Sequence, residues 1–245
     1  HIPRYPHDIH YHVSLESPAD DEALAELRRQ VEAVCPILHL LRQPQTITGT
    51  VNHRREESPA VLGAGPGLPE YLEEKGRKTR LNREALLRDG GSPREIVAHA
   101  SARGRSGVRR IRIREFQQLS DSGPEFAGYD LGPTSPELQL GVLASCLTHV
   151  FLIQAATLGV ALTALETEVS GIIDPRAGRS GHEATPRHPH DIRYVVNVAS
   201  SATDEAIAEL HAAVEVACPI FNLLLGPQVI EGELHNLAAA VRAAA

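Results

Sequence analysis

One segment of this chain occurs twice, and this repeat constrains the fold more than any other feature of the sequence. Residues 3–49 return without a gap as residues 186–232, with about half of the aligned positions identical. The match includes a Cys-Pro-Ile triplet that begins at Cys35 in the first copy and at Cys218 in the second. Because self-similarity at a fixed offset indicates a repeated structural unit, the two copies are predicted to fold alike.

Each copy is predicted to form a strand, a helix and a second strand. In the second copy, apolar residues first alternate as in a half-buried strand and then recur at helical spacing. The first set is Ile192, Tyr194, Val196 and Val198, and the second is Ile207, Leu210, Val214 and Ala217. Thr203 or Asp204 is predicted to cap the helix, and the last strand is predicted to pass through Val229 and Ile230.

The Cys-Pro pair is predicted to interrupt the helix of the second copy. Pro219 lacks a backbone N–H and biases Cys218 away from the helical region. A kink can present a side chain instead of burying it, so we expect an accessible thiol at Cys218.

The rest of the chain suggests a domain organisation around this repeat. Residues 1–55 are predicted to be the N-terminal repeat, residues 56–70 a linker rich in Pro and Gly, and residues 71–245 the main domain. Within the main domain, residues 71–89 are charged and predicted to be helical. Residues 96–102 and 108–116 are predicted to be two strands of a hairpin, joined by the turn from Gly104 to Gly107.

A long uncharged run follows a helix-start signal. Ser135 is predicted to cap a helix, with Pro136 and Glu137 in its first turn. Residues 138–165 contain no Asp, Glu, Lys or Arg, which is long enough to cross a bilayer. Polar residues interrupt the run and Gly159 is expected to end the helix, so a buried core helix and no membrane partner are predicted. Taken alone, Cys146 in this helix is expected to be a small buried hydrophobe.

Charge and cysteine content narrow the function classes. A net charge of -7 argues against nucleic acid as a partner, because proteins that bind phosphate backbones usually present a basic face. Three cysteines fit reactive thiols in a reducing compartment better than a secreted disulfide framework. No signal-peptide pattern opens the given residues, so a cytoplasmic location is expected.

Four stretches together resemble the OsmC/Ohr peroxidase family. They are residues 132–137, 143–148, 169–174 and 218–220. The resemblance covers about residues 92–236, and residues 3–53 resemble the family only through the internal repeat. It implies an α+β fold in which curved antiparallel sheets surround long central helices in an intertwined homodimer. The N-terminal copy would be an extra β-α-β half-unit.

The same resemblance implies a function and a set of site residues. The protein would be a cysteine-dependent thiol peroxidase that reduces organic hydroperoxides, with fatty-acid hydroperoxides among the candidate substrates. Cys146 would be the peroxidatic thiol and Cys218 the resolving thiol. Glu137 and an arginine would frame the thiolate; Arg105 is the best match, and Arg112 or Arg114 on the next predicted strand are alternatives. An external dithiol of lipoyl or thioredoxin type would restore the enzyme, with no cofactor.

Three alternatives remain open from the residues. The alternative to a peroxidase is a non-catalytic member of the family that binds a small ligand or acts as a scaffold. Cys35 is either inert or an alternative resolving thiol. His10 and His12 share a strand face but have no carboxylate or cysteine beside them at ligand spacing, so they are predicted to be surface residues and no metal site is expected.

Overall fold

The elements of the first repeat copy reappear in the second copy in the same order. The structure, a computed structural model, describes residues 3–56, 67–102 and 105–238. The first copy contains β1 (Ile9–Leu15), α1 (Asp21–Val34), α2 (Pro36–Arg42) and β2 (Ile47–Arg55). The second contains β7 (His190–Ser200), α5 (Asp204–Ala217), α6 (Pro219–Leu225) and β8 (Ile230–Asn236). Between them lie α3 (Leu68–Asp89), β3 (His99–Ala102), β4 (Arg109–Ile113), β5 (Phe116–Ser120), α4 (Ser135–Leu158) and β6 (Leu162–Ile172).

These elements confirm the predicted α+β class and the local signals of the second copy. Ile192, Tyr194, Val196 and Val198 are all buried along β7. Thr203 caps α5, since its Oγ1 accepts a hydrogen bond from the backbone N–H of Ala206 at 3.2 Å. Most of the predicted linker, residues 57–66, lies outside the described residues, and so does Gly104 of the predicted hairpin turn.

The described residues divide into two compact units. One unit is built from residues 3–48, 170–194 and 215–238. The other contains the described part of residues 49–169 together with residues 195–214.

In the first unit, the first strand of one copy pairs with the last strand of the other. Strands β1 and β8 are parallel, with Ile9 opposite Ile230 and Leu15 opposite Asn236. One face of the pair packs towards α1, because the Tyr11 hydroxyl donates to Glu32 Oε1 at 2.5 Å.

Reciprocal hydrogen bonds link the two copies at their second helices. The backbone N–H of Gln45 donates to the carbonyl of Leu224 at 2.9 Å, and the N–H of Gln228 donates to the carbonyl of Leu41 at 2.8 Å. Gln45 and Gln228 occupy equivalent positions in the repeat. Equivalent residues of the two copies therefore make equivalent backbone hydrogen bonds.

A second sheet has the strand order β2-β7-β6. In its part within the second unit, Asn52 Nδ2 donates to Asn197 Oδ1 at 3.0 Å. The Ser200 hydroxyl donates to the carbonyl of Ala161 at 2.6 Å. Side-chain hydrogen bonds thus add to the backbone pairing of this sheet.

The third sheet contains the predicted hairpin and one more strand. Strands β3 and β4 are antiparallel, as predicted, with His99 opposite Arg112. The segment 108–116, predicted as one strand, turns after Ile113 and returns as β5. Arg114 lies in this turn with a φ of 53°, so it does not share a strand face with Arg112 as predicted.

Helix α4 is the central apolar helix, and α3 packs against it. A Cβ on Gly76 of α3 would lie 3.0 Å from the carbonyl oxygen of Ala156, so glycine allows the close approach of the two helices. Within the described residues, α4 is the one unbroken helix long and apolar enough to cross a membrane by length and composition. Core helices of soluble proteins meet the same test, and four residues of α4 are fully buried: Leu143, Leu147, Phe151 and Ala155.

Candidate active site

Cys146 lies at the edge of the buried face of α4. Leu143 precedes Cys146 by about one helical turn, and Leu147 follows it directly. Both leucines are fully buried. Cys146 itself is half-buried. It is therefore not the fully buried hydrophobe that the helix alone suggested.

The start of α4 is fixed by a capping box that uses Glu137. The N-cap is Thr134, one residue before the predicted Ser135. The backbone N–H and the hydroxyl of Thr134 both donate to Glu137 Oε2 at 2.7 Å. These hydrogen bonds from Thr134 lower the pKa of Glu137, so its carboxyl is charged at neutral pH.

Helix geometry separates Glu137 from Cys146. Nine residues along an α-helix correspond to an axial distance of about 13.5 Å and to about two and a half turns. The two side chains therefore leave α4 on opposite sides. Within one chain, Glu137 stabilises the helix start and does not frame the Cys146 sulfur.

The structure places the three candidate arginines in three different settings. Arg105 is exposed in the turn between β3 and β4. Arg112 lies on β4. Together with Arg110 it lines a groove of about 750 Å³ on the sheet formed by β3, β4 and β5. The guanidinium of Arg114 lies 4.9 Å from the ring centroid of Phe116, in a cation–π contact.

The loop between β5 and α4 is anchored by an aspartate that the sequence did not single out. Asp121 is fully buried, and its Oδ2 accepts from the backbone N–H groups of Tyr129 and Leu131 at 2.9 and 3.3 Å. Backbone hydrogen bonds, first that of Ser122, lower the pKa of Asp121. Arg109 donates to the carbonyl of Asp121 at 2.9 Å. This anchor fixes the approach of the chain to the start of α4.

A histidine close to Cys146 was also missed. His149 follows Cys146 by three residues, so the two side chains are neighbours on the surface of α4. Burial, and then the positive charge of Lys75 on α3, lower the pKa of His149 and favour a neutral imidazole. The Lys75 ammonium also donates to the Tyr71 hydroxyl at 3.3 Å. A Cys-x-x-His spacing on a predicted helix is the sequence signal that could have identified this pair.

Cys218 lies at the predicted break, but its thiol is not presented to solvent. Helices α5 and α6 meet at an angle of 64°. Cys218 is the N-cap residue of α6 and is fully buried, which corrects the expectation of an accessible side chain. The Asn222 side chain donates to the carbonyls of Glu215 and Cys218, each at 2.8 Å, and so supplies donors at the helix break.

A hydrogen-bonded tyrosine lies in the same surroundings as Cys218. The Tyr194 hydroxyl donates to Glu215 Oε1 at 2.6 Å. Burial raises the pKa of Tyr194 most, and Glu215 and then Cys218 raise it further. Tyr194 is therefore a neutral hydrogen-bond donor beside the break.

Cys35 occupies the same position in the first copy. It ends α1 and precedes α2, with backbone angles within a few degrees of those of Cys218. Its side chain is half-buried, whereas that of Cys218 is fully buried. The two cysteines share a backbone setting but differ in accessibility.

These features define an α+β domain with a half-buried cysteine on its central apolar helix. Residues 128–232 match the family model described as OsmC-like protein, and this part of the chain is an OsmC-like domain. Glu137, Cys146 and Cys218 all lie within it. The resemblance to this family that the sequence suggested is therefore confirmed for residues 128–232. A comparison with curated proteins found no match.

Several solved structures are similar to this chain at low identity. The OsmC-like protein from Mycoplasma pneumoniae is 17% identical, with 59% of this chain and 99% of that chain covered and a TM-score of 0.48. An organic hydroperoxide resistance protein OsmC from Legionella pneumophila is 15% identical, with coverages of 59% and 99% and a TM-score of 0.39. The organic hydroperoxide resistance protein OhrB of Bacillus subtilis is 18% identical, with coverages of 58% and 98% and a TM-score of 0.37.

Proposed function

We propose that this protein is a cysteine-dependent thiol peroxidase that reduces organic hydroperoxides, including those of fatty acids. The observation that carries the proposal is the half-buried position of Cys146 on the central helix of an OsmC-like domain. A peroxidatic sulfur must be reachable by its substrate and still partly shielded from bulk water, and the half-buried position of Cys146 supports this role.

The proposed reaction has three steps. The Cys146 thiolate attacks one peroxide oxygen, the O–O bond breaks, and the alkoxide leaves and takes a proton to become an alcohol. The sulfur is oxidised to sulfenic acid. The Cys218 thiol then condenses with the sulfenic acid, which forms a disulfide and releases water. An external dithiol, of lipoyl or thioredoxin type, reduces this disulfide and is itself oxidised.

The thiol must ionise before it can attack. An ordinary cysteine is only a few per cent thiolate at neutral pH, so a nearby positive charge is needed. Arg105 remains the proposed partner by family resemblance, with Arg112 and Arg114 as the alternatives. Neutral His149, one turn from Cys146, is a further group that can accept the thiol proton.

A role for Glu137 at the thiolate requires a second copy of the chain. Because Glu137 and Cys146 leave α4 on opposite sides, one helix cannot supply both groups to one site. In the proposed homodimer, Glu137 of one subunit would approach the Cys146 thiolate of the other subunit. We also expect the protein in the cytoplasm, where thiols are kept reduced.

The burial of Cys218 sets a condition on the second step. Its sulfur can attack a sulfenic acid only after local opening at the break between α5 and α6. We therefore expect sulfenic acid formation to precede disulfide formation as a separate kinetic phase.

Stopped-flow consumption of cumene hydroperoxide by the reduced protein tests this function. The wild type should consume peroxide rapidly, and Cys146→Ser should abolish this phase. Cys35→Ser is the matched control, because it removes another half-buried thiol and should leave the first phase unchanged. Cys218→Ser should consume one equivalent and stop at a sulfenic acid that dimedone traps.

Mass spectrometry of the oxidised wild type should then find a disulfide between Cys146 and Cys218. Peroxide consumption that survives in Cys146→Ser would refute the proposal.

The groove on the sheet of β3, β4 and β5 favours one alternative function, the binding of a small ligand without catalysis. It has room for a small molecule, and Arg110 and Arg112 among its lining residues could bind an anionic group. A non-catalytic member of the family would use it to bind a ligand, or would act as a scaffold. This alternative predicts fatty-acid binding that is lost in Arg112→Gln, together with no peroxide consumption by any form of the protein.

A further inference from the structure

Three side chains that can bind a metal converge on the exposed face of the β1–β8 pair. His12 lies directly opposite Glu233 in the parallel register, and His235 follows Glu233 by two residues on the same face. His12 Nδ1 and His235 Nε2 each lie 3.2 Å from the same carboxylate oxygen, Glu233 Oε2. One potential ligand atom from each residue lies within 4.8 Å of the others, and all three residues are exposed.

These distances suit a four-coordinate metal ion. Zinc–nitrogen and zinc–oxygen bonds of about 2.0 to 2.2 Å place neighbouring tetrahedral ligand atoms roughly 3.3 Å apart. Both imidazole-to-carboxylate distances already have this value within about 0.2 Å. The two imidazole rings are stacked with an interplanar angle of 19°, and since both are exposed, rotation about their side-chain bonds can bring the nitrogens closer.

The backbone beneath the three side chains is fixed. Ser17 N–H donates to Asn236 Oδ1 at 3.2 Å, and Asn236 Nδ2 donates back to the carbonyl of Ser17 at 3.1 Å. This exchange ties the end of β8, next to His235, to the residues that follow β1. The site therefore belongs to a defined scaffold, which reduces the ordering needed when a metal binds.

The fold does not require this cluster. At the offset of the repeat, Val195, Thr50 and Asn52 correspond to His12, Glu233 and His235, and the last two correspondences lie just beyond the end of the matched residues. The equivalent strands, β7 and β2, are also neighbours in a sheet and thus form with no imidazole or carboxylate at these positions. Two imidazoles and a carboxylate on one face are therefore better explained by a ligand than by folding.

We propose that His12, Glu233 and His235 form a site for a divalent transition metal, with zinc as the fitting ion. Two imidazole ligands favour zinc over magnesium or calcium, which prefer oxygen ligands. Three protein ligands leave one coordination position for water or an external ligand. The earlier expectation of simple surface histidines considered only residues near His10 and His12 in sequence. It missed Glu233, which β-pairing brings beside His12 from the other end of the chain.

A bound zinc ion would also connect β1 to β8. These strands are far apart in sequence, so the ion would hold the two repeat copies together at this sheet. Binding should therefore slow hydrogen exchange of the β1 amides, a readout that does not depend on peroxidase activity.

Calorimetric titration of the full-length, chelator-treated protein with zinc chloride tests the site. The wild type should bind one equivalent, and His12→Gln, Glu233→Gln and His235→Gln should each weaken binding at least about tenfold, the smaller effect known for loss of a supporting residue around a metal. His10→Gln is the matched control, because His10 lies on the same face and pairs with Glu231 at 3.4 Å but is outside the cluster. It should bind zinc like the wild type.

Cobalt substitution separates this site from binding by the cysteines. Co²⁺ held by nitrogen and oxygen ligands should show no thiolate charge-transfer band, and the spectrum should be the same in Cys146→Ser. A thiolate band, unchanged zinc affinity in all three ligand variants, or an equal loss in His10→Gln would each overturn the proposal. Peroxide consumption plays no part in these measurements, so their failure is distinct from failure of the proposed function.

Discussion

The two repeat copies contain the same tyrosine–glutamate hydrogen bond in different surroundings, which permits an internally controlled test of the fold. Tyr194 is 1% exposed and donates to Glu215. Its counterpart Tyr11 is half-buried and donates to Glu32. Replacing either tyrosine by phenylalanine removes one hydroxyl and retains the ring, so the two variants differ only in what surrounds the lost hydrogen bond.

The magnitudes follow from how deeply each tyrosine is buried. A hydrogen bond to a charged group contributes about 1.5 to 3 kcal/mol, and loss of a buried donor leaves the acceptor poorly solvated. We expect Tyr194→Phe to lower the free energy of unfolding by about this amount. Tyr11, by contrast, is half-buried, and its acceptor Glu32 is 21% exposed. Tyr11→Phe should therefore cost less, about 0.5 to 1 kcal/mol.

Urea unfolding followed by circular dichroism measures both values. With a slope of about 2 to 3 kcal/mol per molar urea, Tyr194→Phe should lower the midpoint by about 0.5 to 1.5 M, and Tyr11→Phe by less than about half a molar. The Tyr194 ring should keep its edge-on contact with Phe221 in the variant. If Tyr11→Phe costs as much as Tyr194→Phe, burial does not determine the strength of this interaction and the reasoning is wrong.

Three further predictions concern the thiols, the helix break and acid stability. In the native reduced protein, Ellman's reagent should label Cys35 and Cys146 quickly, and Cys218 only at the rate of local opening; fast labelling of all three would contradict the burial of Cys218. Asn222→Ala should lower the free energy of unfolding by about 1 to 3 kcal/mol in urea titrations, because it removes the side-chain donors at the helix break. Asn222→His should recover part of this loss, since the equivalent residue of the first copy is histidine. Equal losses in the two variants would count against a role for the Asn222 side-chain donors. Hydrogen bonds from Tyr11 and Arg28 lower the pKa of Glu32 to about 2, so the stability difference between wild type and Glu32→Gln should be complete above about pH 4.5 and disappear as the pH falls towards 2; a pH-independent difference would contradict it.

Sequence patterns predicted the local structure of the second copy well. Alternating apolar residues identified β7, and Pro219 identified the break before α6. Both are local effects, since strand faces follow from a two-residue period and a proline acts on its immediate neighbours. The burial of Cys218 was not predictable in this way, because a kink fixes the backbone direction and says nothing about what covers the side chain.

Long-range pairing explains most of what the sequence could not predict. The pattern of β1 predicts a strand with a histidine-bearing face, but it does not identify β8 as its neighbour. Consequently Glu233 was not placed beside His12. The turn at Arg114 was missed for a different reason: it contains no glycine, and a positive φ at arginine is uncommon.

The structural difference between the two copies explains why we assign their cysteines different roles. Val31 and Val214 are equivalent in the repeat, yet Val31 is 52% exposed and Val214 is fully buried. Helix α5 packs on α4 through His211, whose ring stacks on Phe151 at a centroid distance of 6.2 Å. The first copy includes no sequence counterpart of α4. A helix break equivalent to that of Cys218 therefore recurs at Cys35 without the cysteine-bearing helix that the peroxidatic step needs. This asymmetry is why we propose Cys218, and not Cys35, as the resolving thiol for Cys146.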